Sequence, residues 1–322
     1  MNKQYDVVAL GELLIDFTEN GTSGQGNPVY EANPGGAPCN VLSMLNRLGH
    51  QTAFLGKVGN DIFGRQLRST VESAGINVEG LLTDEDVRTT LAFVETKPDG
   101  DRDFSFYRNP GADMMLREEE VRDDIIAAGK IFHFGTLSMK NEPVRSATKH
   151  AIAVAKENGA LISFDPNIRE PLWKDMEEAK EQTAYGLSVC DILKISDNEI
   201  QWFSGKEDYT EGIRMLQQTY QIPLILLSMG RDGSRAYYKN MIVEVPAFLQ
   251  KNTIETTGAG DTFGACCLHY ILQYGLMELT EQQLKDMLTF ANAAASIITT
   301  RKGALRVMPS LEEIQNYFES IS

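Results

Sequence analysis

The chain contains few of the residues that build metal sites and disulfide frameworks. Only four of its 322 residues are Cys and four are His, and neither a CxxC spacing nor an HExxH motif occurs. These absences argue against a cysteine-based zinc site and against a zinc hydrolase. We therefore expect four buried free thiols, at Cys39, Cys190, Cys266 and Cys267.

Basic residues are also scarce. The chain has 30 Lys and Arg against 45 Asp and Glu, a formal net charge of −15, which disfavours binding to nucleic acid or to an anionic membrane surface. The first apolar run, residues 7–17, is interrupted by acidic residues and is too short for a signal or membrane segment. We therefore expect a cytoplasmic protein that acts on small molecules.

No internal repeat, low-complexity segment or Pro/Ser-rich linker divides the sequence. Short apolar runs alternate with stretches of helical periodicity, which is typical of βαβ units and predicts one α/β domain over residues 1–322 with a mostly parallel sheet. The predicted strands are 6–13, 52–59, 130–135, 161–165, 192–196 and 224–230. Caps and terminal glycines predict helices over 40–50, 60–75 and 145–158, and a long run of apolar and small residues predicts one over 283–300.

Two regions interrupt this alternation. Segments within residues 13–32 and 88–110 have the pattern of strands outside the main sheet, and the second contains the turn signal Pro98-Asp99-Gly100. Their mixture of polar and aromatic residues indicates a small β lid over a site, and lids of this kind often pair two subunits. An antiparallel edge extension of the main sheet is the alternative.

The segment 255–271, ETTGAGDTFGACCLHYI, joins a glycine-rich turn to a helix. Apolar residues recur at helical spacing after the glycines, which predicts a helix that begins near Gly260 or Asp261. The peptide N–H groups of Gly258, Ala259 and Gly260 would then lack intrahelical acceptors and form an anion site. In the alternative interpretation, Asp261 is an ordinary acid that stabilises a helix N-terminus.

Three phosphate-binding interpretations compete for these glycines. A P-loop of the form GxxxxGK[ST] does not occur in the chain. The spacing of Gly258, Gly260 and Gly264 is one residue longer than the common dinucleotide fingerprint, and only 58 residues follow Gly264. In the third, phosphoryl transfer, the amides stabilise charge on the transferred group while Asp261 accepts the proton of the attacking hydroxyl.

The N-terminal half contains a second candidate binding segment, NPGGAPCN, at 33–40. Gly35 and Gly36 allow a close approach between the backbone and a ligand, and Asn40 can both donate and accept hydrogen bonds. Asp16 adds an acceptor for hydroxyl groups. These groups suit a sugar, and the same turn also occurs in ordinary βα loops.

Segments 35–64 and 256–265 resemble the two signature sequences of the ribokinase-like, phosphofructokinase-B-type carbohydrate kinases, in that order. FYRNPGADMML (106–116) and ISFDPNIREPLW (162–173) are similar to segments of the bacterial and plant fructokinases within this family. The resemblance covers nearly the whole chain. It implies a three-layer α/β/α sandwich with a small β lid, and a reaction that uses ATP, Mg²⁺ and a sugar.

The resemblance also implies roles for individual residues. Asp261 would be the catalytic base. The anion hole for the γ-phosphoryl group would comprise Gly258, Ala259 and Gly260. Arg169 would approach the transferred phosphate or the substrate, or else form a surface salt bridge. The residues implied for sugar binding are Asp16, Gly35, Gly36, Asn40, Phe106 and Arg108.

Metal and nucleotide positions follow from the same resemblance. The segment SDNE (196–199) matches the family's NxxE motif, with Ser196 in place of the usual Asn and with Glu199 retained to act on Mg²⁺ through water. Glu255 stands where the family usually has the Asp of a monovalent-cation site, while Thr257 is preserved, so activation by K⁺ is left open. The residues implied for nucleotide binding are Ser196, Ser228, Gly230, Gly233 and Asn292.

Together these features and the resemblance predict an ATP-dependent kinase that phosphorylates the 6- or 1-position of a sugar, with D-fructose to fructose 6-phosphate as the expected reaction, and that forms a homodimer through its lid. Within the family, the alternatives are 2-keto-3-deoxygluconate kinase, ribokinase and nucleoside kinase, and Arg108 and Arg169 would also suit an acid sugar. From other classes, the alternatives are a dinucleotide-dependent oxidoreductase and a non-catalytic sugar-binding regulator. The regulator would have no use for Asp261 beside an anion hole.

Overall fold

The computed structural model describes residues 3–96 and 102–321. Strands in these ranges are numbered along the chain as β1 (Tyr5–Leu10), β2 (Leu14–Thr22), β3 (Pro28–Gly35), β4 (Thr52–Gly59), β5 (Asn77–Asp84), β6 (Leu91–Thr96), β7 (Arg102–Tyr107), β8 (Gly129–Gly135), β9 (Leu161–Asp165), β10 (Ile192–Ser196), β11 (Leu224–Ser228), β12 (Ser234–Tyr238) and β13 (Met241–Val245). The helices are α1 (Ala37–Arg47), α2 (Ile62–Ser73), α3 (Asp123–Ala127), α4 (Val144–Glu157), α5 (Met176–Val189), α6 (Asp197–Ser204), α7 (Tyr209–Tyr220), α8 (Ala259–Tyr274), α9 (Glu281–Ile298) and α10 (Leu311–Ile321).

Nine strands form the main sheet, in the order β13-β12-β11-β10-β9-β8-β1-β4-β5. Pairing is parallel from β11 through to β5, and β12 and β13 add an antiparallel edge. Side chains alternate between two cores: Val7 and Ala9 of β1 lie in the core shared with α1, α8 and α9, while Val8 and Leu10 lie in the core shared with α4. Helices therefore cover both faces, as the family resemblance implied.

The predicted strands are confirmed, with corrections at two of them: the strand predicted over 224–230 ends at Ser228, and the first predicted strand is also shorter. The run predicted as one strand over 6–13 ends at Leu10, and the chain enters a different sheet at Leu14. Glu12, between these two strands, is buried and accepts the N–H of Ala37 at the start of α1. The apolar run is thus divided between two sheets, with Glu12 at the junction.

A separate four-stranded sheet has the order β3-β2-β6-β7. It contains the segments predicted to form the lid, so the alternative of an edge extension is wrong; the predicted turn at 98–100 lies outside the described residues. Asp16 and Thr18 of β2 lie on one face of this lid sheet, and Phe17 lies on the other, where it stacks on Phe93 of β6.

The ends of the helices also follow the predictions, except that α1 begins at Ala37, so Asn40 lies inside its first turn and not at its start. Asp61 caps α2 by accepting the N–H of Gly64 at 2.8 Å, and α8 ends before Gly275. Its first residue is Ala259, slightly earlier than predicted. The four cysteines are buried and free, as expected. Within the described residues, we find no helix of the length and apolarity needed to cross a membrane.

Candidate active site

A cleft of about 360 Å³ lies between the lid sheet and the N-terminus of α8. It lies at the carboxyl ends of the parallel strands, where open α/β sheets bind their ligands. Eleven of the residues predicted for the site line it: Asp16, Gly35, Gly36, Asn40, Phe106, Arg169, Glu255, Thr257, Gly258, Gly260 and Asp261. Two distant parts of the sequence thus meet in one cavity.

The N-terminus of α8 forms the floor of the cleft. Gly258, its N-cap, has a left-handed φ of 75°, and a Cβ there would lie 2.6 Å from the Cβ of Ala304. The N–H of Ala259 donates to the carbonyl of Thr256, ahead of the helix, at 3.2 Å, so its place in the anion site stays a prediction. The N–H of Thr262 donates to the carbonyl of Gly258 at 2.8 Å, so the amides of Gly260 and Asp261 precede the intrahelical hydrogen bonds and this end of the helix can receive an anion.

Asp261 and Asn40 are joined directly inside the cleft. Asn40 Nδ2 donates to Asp261 Oδ2 at 2.8 Å, and the two residues are only 5% and 8% exposed respectively. Burial raises the pKa of the Asp261 carboxyl, against the opposing effect of the Asn40 hydrogen bond. Within the described residues, Asn40 Oδ1 is buried and has no hydrogen-bond partner. An unsatisfied buried acceptor is costly, so this oxygen is suited to accept a hydrogen bond from a ligand hydroxyl.

The Gly35–Gly36 pair allows the lid to approach α1 closely. A Cβ at Gly35 would lie 2.2 Å from Asp16 Oδ2, and one at Gly36, where φ is 133°, would lie 2.4 Å from the carbonyl oxygen of Glu12. The turn therefore requires glycine at both positions, and it places the Asp16 carboxylate in the cleft. Glu12 also lines the cleft, and burial raises its pKa to about 7. The sequence analysis missed this residue.

A second missed feature is an ion pair between Lys194 of β10 and Asp165 at the end of β9. Lys194 Nζ lies 3.0 Å from Asp165 Oδ2, and the Lys194 side chain is 12% exposed. Burial disfavours the charge on Lys194, but Asp165 and Glu199 outweigh that effect and raise its pKa. A Cβ built on Gly260 would lie 3.1 Å from Lys194 Nζ, so a buried cation stands beside the amides of α8.

The two arginines predicted for the site differ in position. Arg169 lines the cleft and is exposed, and its positive charge acts to lower the pKa of Asp261. Arg108 is buried: its Nη2 lies 2.7 Å from Asp113 Oδ2 and donates to the carbonyl of Leu137 at 3.3 Å. Since Leu137 lines the cleft and Arg108 does not, Arg108 supports the wall, and its direct contact with a sugar stays a prediction.

The residues predicted for the nucleotide lie outside the cleft lining. Gly230 and Gly233 form the turn after Ser228, with positive φ values of 53° and 102°. Asn292 Nδ2 donates to the carbonyls of Val245 and Pro246, each at 3.1 Å, and its Oδ1 accepts the hydroxyl of Ser234. These contacts connect α9 to the antiparallel edge of the main sheet, and the predicted nucleotide contacts stay predictions.

The predicted metal residues have structural partners of their own. Ser196 and Glu199 form the capping box of α6, and Glu199 Oε1 accepts the N–H of Ile168 at 2.8 Å. Glu255 Oε1 accepts the N–H of Gly303 at 2.7 Å. Thr257 lies in the cleft with Glu255. Among the described residues there is no cluster of three or more His, Cys, Asp or Glu side chains that could hold a metal ion, so the roles of these residues stay predictions.

Comparison with known proteins agrees with this geometry. The model of the pfkB family of carbohydrate kinases matches residues 4–311. A probable fructokinase-2 of Arabidopsis thaliana is 41% identical over 306 residues, which are 94% of this chain and 93% of that protein. The crystal structure of a Xylella fastidiosa fructokinase with bound ATP superposes with a TM-score of 0.86 at 30% identity, covering 98% of each chain.

A fructokinase double mutant of Vibrio cholerae O395, solved with fructose, ADP and a potassium ion, superposes equally well, with a TM-score of 0.86. It is 29% identical, and the alignment covers 98% of this chain and 99% of that one. The three-layer architecture with a small additional sheet is thus shared along almost the entire length of these proteins. The chain belongs to the pfkB family of carbohydrate kinases.

Proposed function

We propose that this protein is an ATP-dependent fructokinase that transfers the γ-phosphoryl group of ATP to the 6-hydroxyl of D-fructose in the cytoplasm. The observation that carries the proposal is the Asn40–Asp261 pair at the N-terminus of α8, with a buried acceptor left over on Asn40. The relatives named fructokinase support fructose as the substrate. We also propose that residues 1–322 act as one catalytic domain.

Asp261 is the group that accepts the proton of the attacking hydroxyl. The sugar oxygen forms a bond to the γ-phosphorus as the bond from that phosphorus to the bridging oxygen of ADP breaks, and the hydroxyl proton moves to Asp261. Its burial raises its pKa and brings it nearer to the working pH, which suits a general base. Asn40 fixes one carboxylate oxygen by its 2.8 Å bond and so aims the other at the substrate.

The transferred group carries negative charge that this end of the cleft is built to receive. The amides at Gly258 and Gly260, with the dipole of α8 behind them, provide fixed hydrogen-bond donors. Lys194 adds a buried positive charge beside Gly260, and Arg169 adds a second, exposed one. Mg²⁺ bound with ATP supplies further charge neutralisation when present, and Glu199 would hold it through water.

The lid sheet contributes the sugar-facing wall. Asp16 and Thr18 of β2, Asn33 of β3 and Phe106 of β7 line the cleft from this sheet. The carboxylate, hydroxyl and amide groups can bind sugar hydroxyls, and the ring of Phe106 can cover an apolar face of the sugar. Closure of such a sheet over the substrate excludes water and limits hydrolysis of ATP.

A coupled assay of ADP release across fructose, 2-keto-3-deoxygluconate, ribose and inosine tests the substrate. We expect kcat/KM to be highest for fructose by at least about tenfold, because a site built for particular hydroxyls discriminates strongly against analogues that leave its polar groups unpaired. A preference for ketodeoxygluconate would show that the exposed Arg169 binds a substrate carboxylate. Binding of NAD(H) without binding of ATP would instead support an oxidoreductase.

We further propose that K⁺ activates the enzyme through Glu255 and Thr257, which lie in the cleft beside the anion site. The Vibrio cholerae fructokinase with a bound potassium ion supports this proposal. We expect turnover to rise several-fold when K⁺ replaces tetramethylammonium at constant ionic strength and saturating Mg²⁺. Glu255→Asp is the matched variant. Because it shortens the side chain, we expect it to change the K⁺ concentration that gives half-maximal activation. Equal turnover with both cations would contradict the proposal.

A homodimer through the outer face of the lid is the final part of the proposal. Phe93 contacts both Tyr30 and Tyr107 there, with ring centroids 5.6 and 5.4 Å away, and these tyrosines are 43% and 66% exposed. An exposed aromatic cluster on a sheet is typical of an interface. We expect a dimer in sedimentation at micromolar concentration, a monomer for Tyr107→Lys, and a dimer for the control Met277→Lys. A monomeric parent protein would refute this arrangement.

A further inference from the structure

A second groove lies on the surface between α1, α2 and the segment that follows α9. Its volume is about 580 Å³, and the polar side chains that line it belong to Ser43, Asn46, Arg47, Thr70, Ser73 and Arg306. Among the described residues, two arginines but no Asp or Glu line this groove. In a chain with a net charge of −15, such a local excess of positive charge marks a place where an anion can bind.

The chemistry of the groove favours a phosphate group. Arg306 Nη2 donates to Thr70 Oγ1 at 2.7 Å, which holds one edge of the guanidinium against α2 and leaves its other N–H groups for a ligand. Arg47 stands in the last turn of α1. Guanidinium groups bind phosphate oxygens with two parallel hydrogen bonds, and two of them match the charge of a dianion.

The groove and the catalytic cleft share one short stretch of chain. Gly303 and Ala304 line the cleft, whereas Leu305 and Arg306 line the groove. The Leu305 carbonyl accepts the hydroxyl of the buried Ser43 at 2.6 Å, which connects this stretch to α1. A ligand that repositions Arg306 therefore acts on residues only two and three positions away from it in the cleft wall.

We propose that this groove is a regulatory site for a small phosphomonoester dianion. Binding at Arg47 and Arg306 changes phosphoryl transfer through the Gly303–Ala304 wall. By thermodynamic linkage, a ligand in the cleft changes the affinity of the groove by the same factor.

Calorimetric titration of the full chain with inorganic phosphate at constant ionic strength tests the site without requiring turnover. We expect Arg47→Ala/Arg306→Ala to weaken phosphate binding by about tenfold or more, because charge-assisted hydrogen bonds are lost. Arg47→Lys/Arg306→Lys retains both charges but loses the planar guanidinium groups, so its affinity for phosphate should be intermediate. Arg65→Ala, which removes an exposed arginine of α2 outside the groove, should bind as the parent does.

Two outcomes would overturn the proposal. If the groove double variant keeps full affinity while Lys194→Met loses it, phosphate binds in the catalytic cleft. If Arg65→Ala weakens binding as much as the groove variants, the effect is general charge screening. A phosphate-dependent change in kcat or KM that is present in the parent and absent from the groove double variant would support regulation. Failure of the fructokinase assignment would leave the binding result intact.

Discussion

Asp261→Asn is expected to lower kcat by about two to four orders of magnitude, the scale of general base catalysis, and to leave ATP affinity largely intact. The amide keeps the shape of the carboxylate and an acceptor for the N–H of Asn40, which lies 2.8 Å from the carboxylate in the parent protein. It has no basic oxygen to take the proton of the sugar hydroxyl. Steady-state ADP release and nucleotide titration together measure the two effects.

The pH dependence gives a second readout of the same change. Burial raises the pKa of Asp261, and the carboxyl must be ionised to act as a base. In the parent protein, kcat should therefore fall as the pH drops through this raised pKa, and the variant should lose that acid limb. A correctly folded Asp261→Asn protein, verified by its Tm, that retains near-parental turnover would refute Asp261 as the base.

Lys194→Met is expected to lower kcat by about two to three orders of magnitude, the cost of removing one preorganised donor from a site that stabilises developing charge. Methionine has a similar length and no charge. A Cβ built on Gly260 would lie 3.1 Å from Lys194 Nζ. The substitution therefore removes a positive charge that lies beside the amides of α8. Single-turnover measurement at saturating ATP and fructose isolates the chemical step.

The same substitution should also destabilise the fold, because Asp165 would remain buried without the partner that lies 3.0 Å away. Removal of one member of a buried pair typically costs about 3–5 kcal/mol, measurable by urea unfolding. The matched control is Lys194→Met/Asp165→Asn, which removes the uncompensated charge. We expect this double variant to regain stability and not turnover. If it regains turnover as well, the role of Lys194 is structural.

Local sequence signals predicted the parts of the site that depend on glycine and on helix starts. At Gly36 and Gly258 the backbone has a positive φ and a Cβ would collide with neighbouring atoms. These constraints require glycine, which can be recognised directly in the sequence. Asp261 was predictable because it follows such a turn at the start of a helix. The main parallel strands were predictable for a similar reason, since both of their faces are buried and their sequences are continuously apolar.

The missed residues depend on contacts that are not local. Lys194 lies within the apolar strand ILKIS, and Asp165 ends another strand. The ion pair between them forms only when the two strands lie side by side in the sheet. Glu12 looked like one more residue of a strand because its partner, the Ala37 amide, is 25 residues away. The unpaired charge in ILKIS was the one available signal, because a buried strand rarely carries a lysine without a partner.

The hydrogen bond between Asn40 and Asp261 joins residues that are 221 positions apart. A chain emerging from the ribosome therefore has the strands of both sheets before it has the proposed base, because α8 is among the last elements to be synthesised. Contacts of such long range form slowly and late in folding. Activity would thus depend on synthesis of the chain through α8, because a protein truncated before α8 would lack both Asp261 and the helix that shares a core with α1.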